Sequence, residues 1–360
     1  MIPHTFGQSP PWSVGIEEEL FVLDAESLEP VPVPTGWLDG TRFKAELHAS
    51  VIELNTGVCV DVAQARSELA ELRLEARRRA ARDGLVLAAA GSWPTAVSEE
   101  QPITQDPGYL RFVEYAGPSA RRQYVCGLHV HVGVADAEAC VQALEGVLPW
   151  LPVVLALSAN SPYVAGAETG LASARAEILA LLPRSGAPPV FESYERWEEF
   201  AERLLALGLA DQYTRIWWDV RPHPRFGTLE VRVPDQPTRL DATLALAALT
   251  QALVASVDAG APADRGVYAQ NRWAASRFGR AAELIHPDGD RLLRADELLT
   301  ELLERVAPNT DRLGGAAFLA PLATLAQADE QLELGRGRGL RALCESLVSA
   351  TYDGVDGSSH

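Results

Sequence analysis

The sequence predicts an α+β fold rather than a doubly wound parallel sheet. Three observations carry that expectation: strand-like segments crowd into the first two thirds of the chain, they join through hairpins or single helices, and the last third reads as helix after helix. No internal repeat, heptad array or low-complexity linker interrupts the 360 residues. They are read as a single domain, sheet-forming over 13–234 and largely helical over 237–350.

The elements follow in order. Residues 13–23, SVGIEEELFVL, read as a strand, and 42–55, RFKAELHASVIELN, as a less regular extended stretch. From 61 to 82, Ala65, Leu69, Leu72 and Ala76 recur at helical spacing, with Asp61 placed to cap the helix and Gly84 to stop it. LVLAAAG at 85–91 reads as a buried strand; 94–122, rich in Pro, Gly and charge, reads as a long functional loop. QYVCGLHVHVGV at 123–134 alternates as a strand should, and a helix follows over 137–158, broken near Pro149 and Pro152. Turns and a short helix occupy 159–192, and an aromatic-rich amphipathic helix 193–208. RIWWDV (215–220) and GTLEVRVP (227–234) read as a hairpin-like strand pair. Helices are expected at 238–258, 262–284, 295–307, 318–330 and 337–350, with a disordered tail at 354–360.

Composition narrows the function. Hydrophobic content of 47% and charged content of 22% belong to a globular protein. No apolar run reaches the roughly 20 residues that span a bilayer. The start, MIPHTFGQSPPW, has no cationic region before an apolar core, so a cytoplasmic protein is expected. A formal charge of −18 argues against nucleic acid and anionic membranes, which Lys/Arg patches hold, while local cations could still meet a small anionic substrate. Cys59, Cys126, Cys140 and Cys344 form no CxxC pair and read as idle reduced thiols. The chain has a single lysine, Lys44 in TRFKAEL, which fits neither a P-loop nor a kinase VAIK motif. A nucleotide bound here would have its phosphates held by metal ions and arginines.

Alternation along strands then sorts the polar residues. Glu17 and Glu19 share one face, His129 and His131 another, and Thr228, Glu230 and Arg232 a third, each opposite an apolar face. One such strand would pass as the solvated side of an antiparallel sheet. Three of them, repeating Glu-x-Glu, His-x-His and Glu-x-Arg, do not. Carboxylates about 4 Å apart repel by ~4 kcal/mol at an effective dielectric of 20, so a divalent cation is the simplest compensator. Oxygen ligands select Mg²⁺ or Mn²⁺. Glu46 and Glu53, seven apart, join the candidates, whereas His48 is read as a surface residue. Of the arginines around the hairpin, Arg221 and Arg232 are expected to point inward and Arg215 and Arg225 are shared between surface and site.

In chain order the sequence carries GIEEE, the E-x6-E of AELHASVIELNTG, GLHVHVG, SANSPY and DVRPHPRFGTLEVRVPDQ. With these motifs it resembles the bacterial carboxylate–amine ligases known as glutamate–cysteine ligase type 2, relatives of the glutamine synthetase-like ligases, from about Val14 to Gly279. LEVRVPDQ together with HVHVG is the specific part. The resemblance implies a curved, mostly antiparallel sheet with helices on its convex side, binding ATP and two or three Mg²⁺ or Mn²⁺ ions. It implies ATP-dependent amide formation through an acyl phosphate, with glutamate as acid and cysteine or another amine as acceptor. Glu17, Glu19, Glu46, Glu53 and Glu230 would be metal ligands; His129 and Arg232, with Arg225, would lie at the phosphates, and Arg221 among the catalytic groups. Asn160, Tyr163, Arg175 and His131 are the expected substrate residues, Arg175 reading equally as a structural ion pair; Asn271 and Arg272 are weaker candidates, read first as a helix-face ion pair. A homo-oligomer is expected, with a dimer favoured over larger assemblies. Two other readings stand beside this one: a metal hydrolase built on His129 and His131, and a non-catalytic nucleotide or amino-acid binding protein on the same scaffold.

Overall fold

The computed structural model describes residues 1–257 and 260–355; the tail expected at 354–360 lies outside the described residues from 356 onward. Val14, Ile16, Leu20 and Val22 alternate inward and form the long first strand β1, Val14–Asp24. The 42–55 stretch is two strands, β2 (Phe43–Ala45) and β3 (Val51–Asn55), paired antiparallel. Helix α1 (Val62–Arg82) starts where Asp61 accepts from the Gln64 amide, and Gly84, at a positive φ, lets the chain turn into β4 (Leu85–Ala88).

The segment 94–122 is a correction. It holds α2 (Pro107–Ala116) and the short α3 (Pro118–Arg121). Asp106 caps α2, Pro107 occupies its first turn, and Gly117 at φ 55° ends it. The Pro and Gly that suggested a loop are a helix start and a helix stop.

Strand β5 covers only Leu128–Gly133. Helices α4 (Ala137–Val147) and α5 (Leu151–Ser158) flank a 3-10 turn carrying Pro149. That 22-residue stretch contains an 18-residue window of mean hydropathy 1.7, long and apolar enough to cross a membrane by composition, yet 83% of the window is buried inside the protein. Beyond it lie a small hairpin, β6 (Tyr163–Val164) and β7 (Ala167–Glu168), then α6 (Ala174–Leu179). Next come β8 (Ser185–Gly186) and α7 (Tyr194–Ala206), with β8 pairing parallel to β9 (Trp217–Trp218). The hairpin is β10 (Val220–His223) with β11 (Thr228–Val231). Helices α8 (Leu240–Ser256) and α9 (Arg265–Phe278) follow. The helix expected to 284 stops at Gly279 (φ 53°), and β12 (Glu283–Ile285) pairs with β13 (Leu292–Arg294) instead. The chain closes with α10 (Ala295–Arg312), α11 (Gln327–Arg338) and α12 (Leu340–Ala350).

The main sheet runs β10-β11-β5-β1-β3-β2, every pair antiparallel. Strand β4 also pairs with β1, along its second half and on the side that β5 borders in the first half. The face carrying Ile16, Leu54, Val130 and Val231 packs on Leu69 and Leu72 of α1 and on Leu244 of α8. Within this apolar layer lies Glu18, fully buried, its carboxylate gripped by Arg73 of α1 through Nε (2.8 Å) and Nη2 (2.6 Å) and further bonded by Gln236 and Thr243. The same guanidinium donates Nη1 to the carbonyls of Thr238 and Thr351.

The opposite face is divided. Its far end, Phe21, Leu23 and Val51, is covered by Trp93, Tyr124 and the α12 residues Leu343 and Leu347. Its near end is polar. His48 lies beside this boundary, 1% exposed and edge-on to Tyr124, where its backbone bridges to Ile103. It is a buried turn residue, not the surface residue expected, and burial lowers its pKa to about 4. The four cysteines are buried and free, as expected of idle thiols. Burial raises all of them, Cys59 and Cys344 to about 12.

Candidate active site

Register builds the site. Glu19 stands opposite Glu53, Glu17 opposite Asn55 on one side and His129 on the other, and Lys44 opposite Glu53. Across the next strands His131 stands opposite Glu230, and Glu230 opposite Arg221. Because strand side chains alternate, all of these project from the same face. A belt of acids, imidazoles and cations therefore crosses six neighbouring strands. Glu46, in the turn after β2, reaches back so that one oxygen each from Glu19, Glu46 and Glu53 falls within 4.8 Å of the others.

Two further groups share this geometry: Glu17 with Glu53 and His129, and Glu17 with His131 and Glu230. His129 Nδ1 is 3.2 Å from Glu17 Oε2, and its Nε2 is 3.9 Å from Glu19 Oε1. His131 Nε2 lies 3.5 Å from Glu17 Oε1 without a hydrogen-bond partner, while its Nδ1 meets the Thr228 hydroxyl at 3.0 Å. The Gly127 amide donates to Glu19 Oε2 at 2.5 Å.

Charge is unevenly balanced along the belt. At the hairpin end Arg221 and Arg232 overcome burial and hold the Glu230 carboxyl well below its usual range. Against the same burial, His131 and His129 pull Glu17 well down. At the other end burial raises Glu19 and Glu53, and burial with the Glu53 and Glu19 charges pushes Glu46 well up. Three carboxyls that resist ionising together mark a place short of positive charge. The donor set fits a hard divalent ion there, since carboxylate oxygens suit Mg²⁺ or Mn²⁺. The partnerless His131 nitrogen beside Glu17 and Glu230 offers a second position. Burial, with Arg232 adding, lowers the His129 pKa to about 4, so its imidazole is neutral and able to donate a lone pair.

Beside the belt opens a cavity of about 570 Å³, bordered by Glu17, Lys44, His131, Arg225, Phe226 and Thr228. Helix α2 stands near the opposite, acidic end: the Tyr109 hydroxyl donates to the Ala45 carbonyl, and Arg215 lies over the Tyr109 and Phe112 rings.

The expected residues separate on inspection. Glu17, Glu19, Glu46, Glu53, His129, His131, Glu230 and Arg232 come together in the cup, with Arg232 bonded to Glu230 and 3.5 Å from His129 Nδ1. Arg225 borders the cavity with its side chain exposed. Arg221 points inward, but both its edges grip Glu230 and the carbonyls of Thr214 and Ile216, so it positions Glu230 rather than reaching a substrate. Three of the expected substrate residues are bonded to protein groups instead of opening onto the cup. Asn160 is fully buried, its amide bonded to Gln236, Thr238 and Gln331. Tyr163 is buried against Gly335 of α11 and bonded to Glu168. Arg175 donates to the carbonyls of Arg232 and Val233 and stands 3.8 Å from Asp235. Their segment frames the strand end that carries Arg232. Asn271 holds the backbone of Ile285, and Arg272 pairs with Asp219 at 2.6 Å. Sequence reasoning passed over Lys44 and Asn55. Asn55 was findable, being two residues from Glu53 on the same strand face.

The family model described as Glutamate-cysteine ligase family 2 matches residues 13–336. A protein of Rubrobacter xylanophilus provisionally named glutamate–cysteine ligase 2-3 is 39% identical over 358 residues, 96% of this chain and 99% of that one. A Sorangium cellulosum protein provisionally named glutamate–cysteine ligase 2 is 36% identical, covering 96% of this chain and 97% of its own length. Among solved structures, the glutamate–cysteine ligase of Francisella tularensis in complex with AMP superposes with a TM-score of 0.70 at 14% identity, over 96% of this chain and 89% of that one. A bifunctional glutathione synthetase from Pasteurella multocida gives 0.68 at 14% identity, over 95% of this chain and 53% of the other. At those identities the likeness is one of fold.

Proposed function

This chain belongs to the Glutamate-cysteine ligase family 2, it is a ligase of the carbon–nitrogen class, and from that premise we propose that its cup activates a carboxylate with ATP and passes it to an amine. Membership sets aside the hydrolase and the non-catalytic binder. We take glutamate as the acid and cysteine or another amine as the acceptor, following the family and the names its relatives carry. We take the whole chain as one catalytic unit, because helices of its last third pack on the same sheet.

The observation that carries the reading is the convergence of five glutamates and two histidines from β1, β3, β5, β11 and the turn after β2 on one face. Glu19, Glu46 and Glu53 would hold one divalent ion, and Glu17 with His129 or with His131 and Glu230 would hold one or two more. Such ions would screen the negative charge of triphosphate and carboxylate as they approach. The substrate carboxylate oxygen attacks the γ-phosphorus and ADP departs; the amine nitrogen then attacks the acyl carbon, phosphate departs, and the amine loses a proton. Phosphoryl transfer asks the protein chiefly for positioning and charge neutralisation. Arg232, partly exposed beside His129 and fixed by Glu230, is placed to meet the charge that builds on the transferred phosphoryl group. His129, neutral and bonded to Glu17, fixes that carboxylate's direction. The cavity beside Phe226 is where we place the nucleoside.

The test is phosphate release from ATP and Mg²⁺ with pools of acids and amines. Release should require both partners, and Glu53→Gln should lower it by about a thousandfold or more with the far-UV circular dichroism spectrum unchanged. Release that needs no amine, or full activity in Glu53→Gln, would refute the reading.

A further inference from the structure

Of 31 cationic side chains only one is a lysine, and the fold sets that one in the cup. Lys44 lies on β2 opposite Glu53. Its Nζ is 3.0 Å from Glu53 Oε1, 2.6 Å from Asn55 Oδ1 and 3.8 Å from Glu17 Oε1. An ammonium offers three donors. Two are used by Glu53 and Asn55, and 3.8 Å is too long for the third to bond Glu17. Three other cations near the belt are committed to the protein itself, leaving Arg225 and Arg232 beside Lys44 as the accessible ones. Arg73, Arg175 and Arg221 are buried, with their nitrogens on protein carboxylates or carbonyls. Lys44 is 34% exposed and borders the 570 Å³ cavity together with His131, Arg225 and Phe226.

We infer that Lys44 Nζ donates its third hydrogen to a phosphate oxygen of the nucleotide entering through this cavity, making it a substrate-contacting residue of the ligase. The inference rests on the ligase reading and adds to it a phosphate contact supplied by neither metal nor arginine. A lysine suits the place because its charge is a compact point on a flexible stem, able to keep Glu53 and Asn55 while turning one donor outward. A guanidinium is planar and wider, and its donors cannot turn independently, so holding Glu53 and Asn55 would fix the direction of its remaining N–H groups.

The single lysine makes the test selective. The described chain presents two amines, Lys44 Nζ and the Met1 α-amino group, and the latter pairs with Glu202 on α7 and serves as the internal reference. Reductive dimethylation of the intact protein, read by peptide mass spectrometry, should slow at Lys44 about tenfold or more with Mg²⁺-ATP, relative to Met1. Mg²⁺ alone sets the baseline, because Glu53 and Glu17 beside Lys44 would take up the ion, and Mg²⁺ with adenosine should match it. In kinetics, Lys44→Met and Lys44→Arg should both raise the KM for ATP about tenfold while leaving that for the acid substrate unaltered. Labelling with Mg²⁺-ATP equal to that with Mg²⁺ alone, equal protection by Mg²⁺ with adenosine, or a wild-type KM in Lys44→Arg would overturn the inference. If equilibrium dialysis detects ATP on the protein while Lys44 stays unprotected, this contact alone fails; if it detects none, the ligase reading fails with it.

Discussion

Glu17, Glu18 and Glu19 are one residue type in three consecutive positions, and the pleat gives the middle one a different task. Glu17 and Glu19 open onto the cup, while Glu18 enters the apolar layer and meets Arg73 edge to edge. Breaking a buried pair by neutralising one partner leaves the other charge uncompensated, at about 3–5 kcal/mol. Glu18→Gln should therefore lower unfolding stability by about that amount in urea titrations, with ligand affinity little changed in whatever fraction stays folded. Against its burial, Arg73 holds the Glu18 carboxyl below its usual value. A carboxyl lowered on folding contributes stability above its unfolded pKa of about 4.3 and loses it as pH falls through the folded value. The gap between wild type and Glu18→Gln should stay constant from about pH 6 to 8 and narrow in acid below about pH 4; a gap that widens in acid would contradict this. The alternation that separates these glutamates is legible in the sequence, because it needs only a period of two. The partner of Glu18 is not legible, since Arg73 reads as one more charge on an amphipathic helix.

At the scale of elements, the approach of Arg175 to the sheet shapes the end of β5. A Cβ on Gly127 would fall inside the Arg175 guanidinium, while the Gly127 amide anchors Glu19. Gly127→Ala must displace one or the other. We expect a stability loss of about 1–3 kcal/mol from overpacking, and at least about tenfold lower ligation as Glu19 loses its fixed direction. Thermal melts and phosphate release measured on the same preparation check both halves, and a fully active Gly127→Ala would refute the link. Strands with a repeated polar face, β1, β5 and β11, were readable to within a few residues. Helix α2 was missed because Asp106-Pro107 and Gly117 look like turn residues when their capping geometry is unseen. Asn160, Tyr163 and Arg175 show a related limit of motifs: the sequence does not say whether their polar atoms point at a substrate or, as here, at neighbouring protein groups.

For the molecule as a whole, strand order decides what can meet. Strands far apart in the chain lie side by side: β5 sits next to β1 and β11 next to β5, although α1 and β4 come between β3 and β5 in sequence. Glutamates more than two hundred positions apart thus share one surface, and that surface is short of positive charge. A ligand bound by the native state alone stabilises it by about 2.7 kcal/mol at a hundred times its dissociation constant. Mg²⁺ should accordingly raise the melting temperature, chelator should lower it, and Glu53→Gln should abolish most of the difference. A melting temperature indifferent to Mg²⁺ would mean that the acids are satisfied without a cation. The Arg73 clamp has a temporal meaning too. One of its acceptors, the Thr351 carbonyl, lies 278 positions downstream. A ribosome therefore delivers every strand of the cup before it delivers that acceptor, and the nascent polypeptide cannot seal its centre until Thr351 has emerged.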